Sequence, residues 1–304
     1  MASERIEEYL EAIYRKQSTE TPVSTSSIAE ELKVSLPAVT DMLLKLEKRG
    51  LIEYTANKGA VLTEQGRKLA TSTVRKHRLW ERFLTDILGL QWDVVDNEAC
   101  RLEHATSPVT EKALLSVLGD IDTCPHGHGI PDKNGNVKEE KAMPLWEISP
   151  GHKACIISVN DETPETLRQL QKSGLKPRTV VSIESKNSDN TISLKLADHL
   201  ISLHKELASN LLARSLTAKE LAEIPEEISM SHLSAGESGI VKSVGGGRGV
   251  LGRCLSLGFT PGSVVKMVEN FGKGPVLVKI QDTEVALGRG VADRMTVVRS
   301  NIKY

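Results

Sequence analysis

The sequence predicts an α+β fold: a winged helix-turn-helix, then an all-α segment, then two small β-barrels. Three observations predict it. Apolar residues recur at helical spacing through the first third of the chain. A short alternating stretch with a turn interrupts them at 51–63. In the second half, the phrases SGLKPRTVVSI (173–183) and LGFTPGSVVKM (257–267) are visibly alike.

The 304 residues suffice for two to three domains with real cores, which 3% aromatics require to be largely aliphatic. A net charge of −1 argues against a strongly basic nucleic-acid binder and leaves room for a local basic patch. No apolar run approaches the roughly 18 residues of a membrane span. The start, MASERIEEYL, lacks a secretory apolar core, so a cytoplasmic chain with reduced thiols is expected. The cysteines, Cys100, Cys124, Cys155 and Cys254, form no CxxC pair, which excludes a zinc ribbon or a thioredoxin motif.

Residues 3–17 place Ile6, Leu10, Ile13 and Tyr14 on one helical face. A short Ser-capped helix follows at 27–34. A second covers 36–50 and stops at Gly50. The stretch 51–63 alternates around Asn57-Lys58-Gly59 and reads as a hairpin. Helices are then expected at 63–88, 93–105 and 108–118. The Gly/Pro-rich, charged stretch 124–144 reads as a linker. Beyond it, KACIISV, TVVSIES, SGIVKSV, SVVKMVE, VLVKIQ and EVALG read as strands, with short helices at ETLRQLQKSG and RCLSLG. The two like phrases mark tandem copies of one barrel module, since two copies are too few for a solenoid. GGGRG (245–249) lacks the ending of a phosphate-binding loop and reads as a turn.

Helix, turn, helix, hairpin is the order of a winged helix-turn-helix, whose second helix enters the DNA major groove. Here that helix presents Ser35, Pro37, Ala38, Thr40 and Asp41 outward and turns Val39, Leu43, Leu44 and Leu46 inward. Ser and Thr can bond phosphates or base edges, Ala can touch a thymine methyl, and Asp can accept from cytosine. Lys58 at the hairpin tip can reach a phosphate. The same pattern also fits a helical bundle used purely for packing.

A second set of residues carries chemistry. Cys100, Glu103 and His104, in NEACRLEH, share one helical face at spacings of three and four. His77 and Glu81 pair on the preceding long helix, and Glu8 and Glu11 on the first. Mixed sulfur, nitrogen and oxygen donors suit a divalent transition metal: Fe2+, Mn2+, Co2+ or Ni2+, with Zn2+ not excluded. Taken singly, each has a blander reading. Glu8 and Glu11 fit a solvated face, His77 a basic surface and Cys100 a small core residue. A second cluster is Cys124 and His126, with Glu81, Asp96, Asp161, Glu162 and Glu165 as candidate partners and His128 and His152 as competitors.

RKHRLWERFLTDILGL followed by NEACRLEH, with LTEQGR ending the wing and the CPHG motif beyond, resembles the diphtheria toxin repressor family of metal-dependent transcriptional regulators. The resemblance spans roughly residues 3–210, and residues 230–300 resemble a FeoA-like domain. It implies a winged helix-turn-helix at 1–70, a helical metal-binding and dimerisation domain at 71–140, an SH3-like, FeoA-related barrel at 145–213 and a second SH3-like, FeoA-like barrel at 228–304. It implies a primary site of Glu8, Cys100, Glu103 and His104, with Glu11 and His77 close by. Iron regulators of the family carry the Cys but usually Met at the position of Glu8, and manganese regulators carry the carboxylate but usually Glu at Cys100. This chain is a hybrid, so Fe2+ and Mn2+ both stand. For the ancillary site two layouts are implied: His77 and Glu81 with Asp96, or Glu81, Cys124 and His126 with Asp161.

The expected function is a metal-activated homodimeric repressor of metal-uptake genes on palindromic double-stranded operator DNA, with no enzymatic activity and no small organic substrate. Without metal, the carboxylates around Glu8, Glu11 and Glu103 are expected to repel one another and loosen the first helix. An accessory role in ferrous iron transport through the FeoA-like barrel is an alternative, and a metal-dependent hydrolase a lesser one.

Overall fold

The structure is a computed structural model that describes residues 2–17, 21–138, 140–196, 199–217, 220, 227–245 and 248–300. The chain divides into two compact units, Met1–Ser215 and Leu216–Tyr304.

The first unit opens with three helices, α1 (Ala2–Lys16), α2 (Thr25–Leu32) and α3 (Leu36–Lys48), and a hairpin of β1 (Ile52–Thr55) and β2 (Gly59–Leu62). The Ser24 hydroxyl accepts from the Ser27 N–H at 3.1 Å, so α2 begins two residues earlier than its apolar pattern suggests. Pro37 sits in the first turn of α3, where a missing N–H leaves no bond unmade. In the hairpin Ile52 pairs with Leu62 and Thr55 with Gly59. Val23 bridges to Ala60 from outside, and a Cβ on Gly59 would lie 2.2 Å from the Val23 carbonyl oxygen. Leu10, Ile13, Ile28, Val39, Leu43 and Leu46 are fully buried in one core. Leu44 is not among them: it is 50% exposed, being turned about 100° around the helix from Leu43.

Thr63 caps α4 (Glu64–Asp86) by accepting from Gly66 N–H at 3.1 Å, and its hydroxyl donates to the Gly50 carbonyl at 2.8 Å. This helix runs unbroken across the boundary expected at 70/71. It passes as one continuous helix from the winged module into the helical one. Helices α5 (Val95–Glu103) and α6 (Pro108–Leu118) both pack on it, α6 around Leu79, Leu114 and Ile130, and Val109 and Val117 stay exposed.

The stretch 124–144 is not a free linker. Cys124, His126 and Ile130 are buried, and Arg75 and Arg78 of α4 donate to the carbonyls of Pro131 and Gly129. A Cβ at Gly127, Gly129 or Gly135 would lie 1.9, 2.5 or 2.7 Å from a neighbouring atom.

A barrel-like sheet completes the first unit: β3 (Met143–Pro144), β4 (Lys153–Val159), β5 (Val180–Lys186), β6 (Thr191–Leu196), β7 (His199–His204) and β8 (Leu211–Ser215). Between strands lie α7 (Pro164–Lys172) and α8 (Lys205–Asn210). The second unit holds β9 (Glu227–Ser229), β10 (Ser238–Val244), α9 (Arg248–Ser256), β11 (Val264–Glu269), β12 (Val276–Ile280), β13 (Thr283–Leu287), α10 (Arg289–Ala292) and β14 (Met295–Ser300). The sheets run β3-β8-β4-β5-β6-β7 and β9-β14-β10-β11-β12-β13, all antiparallel. Counted within each copy, the strand order is the same, as the repeated phrase requires. In both copies a helix ends at a positive-φ glycine, Gly174 or Gly258, and a fully buried residue, Leu175 or Phe259, follows it. Within GGGRG, Gly246 and Gly247 lie outside the described residues.

Candidate metal centre

The donors sit on five segments of the first unit. α4 turns His77 and Glu81 inward, with side chains 1% and 2% exposed. α5 presents Cys100 and Glu103, and His104 caps its end. α1 brings Glu7, Glu8 and Glu11. The CPHGH loop brings Cys124, His126 and His128, and the turn before α7 brings Glu162.

Carboxylates and imidazoles alternate along a line through these segments. The closest approaches are Glu7–His104 2.8 Å, His104–Glu103 3.2 Å, Glu103–His77 2.6 Å and His77–Glu81 3.7 Å. The line continues with Glu81–His126 2.8 Å, His126–Glu162 3.8 Å and Glu162–His128 2.8 Å. Among the described residues three donor groups fall within 4.8 Å of one another: His77, Cys100 and Glu103; Glu81, Cys124 and His126; and His77, Glu81 and Asp96. His77 belongs to two of them. Its Nδ1 faces Glu103, and its Nε2 lies 3.2 Å from Asp96.

The loop is held so that His126 faces inward. Gly127 has φ +94, and a Cβ there would lie 1.9 Å from the Ile157 carbonyl oxygen. The His126 carbonyl accepts from Val159 N–H at 3.1 Å, its ring stacks on Trp92 at 5.6 Å, and its Nε2–H donates to the Trp92 carbonyl at 2.8 Å. That carbonyl can only accept, so in the neutral ring Nδ1 is a lone pair, turned toward Glu81 Oε1. Two acceptors 2.8 Å apart require a cation or a proton between them. His126 Nδ1, Glu81 Oε1 and His77 Nε2 are all buried without an aligned hydrogen bond. Of these, His126 and Glu81 stand with the Cys124 sulfur within 4.8 Å of one another, a donor set that fits a divalent transition metal.

Charge follows the same geometry. Burial opposes a positive His126, but Cys124, Glu81 and Glu162 outweigh it and carry its pKa up to about 12. Burial also opposes charge on His77, yet Glu81, Asp96, Cys100 and Glu103 keep it protonated well above the usual range. Glu81 is buried too, but His77 and His126 hold it well below the carboxylate range. Burial pushes Glu103 up to about 7 against the pull of His77, and it raises the Cys124 thiol.

The expected residues are placed unequally. Glu8 is exposed and belongs to none of the three groups. It lines a cleft of about 760 Å3 with Glu11, Asp96, Cys100, Glu103 and His104. Glu11 is buried but held by Arg15 at 2.7 Å, and Glu103 is held by His77, so in this geometry two of the three carboxylates expected to repel one another already face a cationic or imidazole partner. Asp161 instead accepts from the Thr163 N–H and from the hydroxyls of Thr163 and Thr166, bracing the start of α7. Glu165 and His152 are exposed, while Glu162 approaches His126. Sequence reasoning missed Glu7, Arg15 and Trp92. Glu7 shares a helical face with Glu11 at i, i+4, a usable signal; Trp92 gave none. On α3, Ser35, Pro37, Ala38 and Asp41 are exposed, Thr40 is half-buried with its hydroxyl donating to Leu36 O at 3.1 Å, and Lys58 is exposed at the hairpin turn.

Comparison with known proteins shows the family of the chain. A family model for the iron-dependent repressor N-terminal DNA binding domain matches residues 1–60. The iron-dependent repressor metal binding and dimerisation domain matches 63–132, and the FeoA domain matches 143–215 and again 228–299. The iron-dependent repressor IdeR of Mycobacterium leprae is 31% identical over 215 residues, which are 66% of this chain and 93% of that protein. The diphtheria toxin repressor of Corynebacterium diphtheriae is 34% identical over 198 residues, which are 62% and 87% of the two chains. A solved manganese-dependent transcriptional repressor in complex with manganese superposes with a TM-score of 0.65 at 30% identity, covering 69% of this chain and 100% of that one.

Proposed function

Because the chain belongs to the iron-dependent repressor family, we propose that it is a metal-activated, homodimeric transcriptional repressor whose metal sites tie the DNA-binding helices to the dimer scaffold. Fe2+ or Mn2+ is the effector, with Co2+, Ni2+ and Zn2+ as substitutes. The observation that carries this reading is the buried run of mixed donors, with orphaned polar atoms, joining α1, α4, α5 and the CPHGH loop. The family's members are repressors rather than enzymes, and among the described residues no helix is long and apolar enough to cross a membrane.

In this reading Cys100, Glu103 and His104 form the primary site, with Glu8 turning in from the cleft and Glu11 and His77 adjoining. Glu81, Cys124, His126 and Glu162 form the ancillary site. A bound divalent cation supplies positive charge where protons and Arg15 otherwise balance the carboxylates. Glu11 then exchanges Arg15 for the shared site, and α1 is held to α4 and α5 by more than apolar packing. Since α1 packs in one core with α3, fixing it fixes the recognition helix, with Ser35, Pro37, Ala38, Thr40 and Asp41 toward bases and Lys58 toward a phosphate. In a dimer two such helices meet half-sites of a palindromic operator about 34–36 Å apart. The exposed Val109 and Val117 of the helical module support pairing with a second copy. The targets are metal-uptake genes.

Fluorescence anisotropy with operator DNA tests this. Fe2+ or Mn2+ should tighten binding at least about tenfold over the chelated protein. Equal affinity with and without metal overturns the reading.

A further inference from the structure

We propose that Glu7 is a positioning residue for the primary site: it fixes which nitrogen of His104 is offered to the metal and makes that choice depend on the docking of α1. The inference rests on the metal-activated reading above.

His104 Nδ1 lies 2.8 Å from Glu7 Oε2, and its Nε2 lies 3.2 Å from Glu103 Oε1. A carboxylate oxygen accepts, so Nδ1 carries the hydrogen and the Nε2 of the neutral ring is a lone pair facing Glu103. Glu103 in turn has its other oxygen 2.6 Å from His77. His104 and Glu103 line the same cleft as Cys100 and Glu8. Consecutive residues on α1 differ by about 100°, so one helical turn can set Glu8 toward the cleft and Glu7 behind His104. His104 stands at the end of α5, its side chain 12% exposed, and Glu7 is the partner that reaches its Nδ1. A carboxylate behind a ligating imidazole selects its tautomer, orients the ring and raises its basicity.

Glu7 belongs to the DNA-binding module and His104 to the helical one. The orientation of one ligand thus reports whether α1 is seated, and by reciprocity whatever seats α1, operator DNA included, strengthens the site.

The test uses the full chain carrying Cys124→Ala, so that Cys100 is the thiolate ligand under study, with Co2+ alone as probe. Affinity is read by chelator competition and the site by the visible spectrum of the saturated protein. Glu7→Ala should weaken Co2+ binding by about 10- to 100-fold and leave the saturated spectrum unchanged. Glu7→Gln, whose carbonyl can still accept from Nδ1–H, should recover most of that loss. Unchanged affinity in Glu7→Ala overturns the proposal. So does a changed saturated spectrum, which would make Glu7 a ligand, or a Gln variant as weak as Ala, which would make its charge alone the cause. Absence of a Co2+–thiolate band in Cys124→Ala itself would remove the primary site, and it would show the failure to lie in the metal reading rather than in Glu7.

Discussion

His126 gives one nitrogen to a main-chain carbonyl and turns the other toward Glu81 and Cys124, and this division sets the chemistry of the proposed ancillary site. In the metal-free chain its proton is held up to about pH 12, and the Cys124 thiol is raised as well. Both must lose protons to ligate. The sign follows: acid restores the competing protons, so affinity falls as pH falls. Between pH 6 and 8 the apparent Fe2+ or Mn2+ affinity of this site should rise by up to about tenfold per pH unit for each proton released. Competition titrations at the two pH values check this, and a flat profile would contradict it. Two neighbouring carboxylates offer a sharper contrast. Glu162→Gln should weaken ancillary binding by about tenfold or more, the effect of losing one metal ligand or its close partner. Asp161→Asn should leave binding alone and cost about 1 kcal/mol or less through the start of α7. Paired calorimetric titrations and thermal melts distinguish the two variants.

Elements matter here through what they carry between modules. α4 is rooted in the wing by its Thr63 cap, and 14 residues beyond that cap it turns His77 into the donor line. The CPHGH loop carries its donors by close approach to β4, which is why Gly127 stands where it does. Replacing Gly127 by Ala adds a Cβ 1.9 Å from the Ile157 carbonyl at φ +94. The expected cost is about 1–3 kcal/mol or more of stability, together with lost ancillary affinity, because His126 would be pushed off Trp92. A denaturant melt and a metal titration of Gly127→Ala check both. A variant with wild-type values in each would show that the loop does not depend on that contact. Trp92 ties the loop after α4 to the barrel: its side chain lies in the barrel core, while Asp93 pairs with Arg168 at 2.6 Å and Gln171 donates to Gln91 at 2.7 Å.

On the scale of the whole molecule, the first unit holds the winged module, the donors and the first sheet. The second unit has its own core around Val241, Phe259, Val265 and Val297. The solved manganese-dependent repressor is covered in full by 69% of this chain, a share the first unit can supply by itself. A chain ending after Ser215 should therefore fold and keep metal-dependent operator binding within about threefold of the full chain, since units with separate cores are expected to add rather than couple. Anisotropy on the truncated protein checks it, and loss of metal dependence would assign the second sheet a part in sensing.

Periodicity and capping determined α1 through α6 within a few residues, the hairpin and its order after α3, and the doubling of the sheet module. Each depends on interactions only a few residues apart, or on a phrase repeated outright. Residue chemistry likewise singled out side chains that the fold brings within 4.8 Å of one another: His77, Cys100 and Glu103, and Glu81, Cys124 and His126. What the sequence left open lay in segments without a period. Asp161 and Glu162 are adjacent polar residues in one turn, and only the path of that turn over β4 sends Glu162 toward His126 while Asp161 braces α7. The first part of the apparent linker, residues 124–131, packs down as a loop because two arginines of α4 and the edge of β4 receive it, partners 30 to 60 residues away. Contacts of that span leave no local mark in a sequence, since they depend on where separately formed elements come to rest.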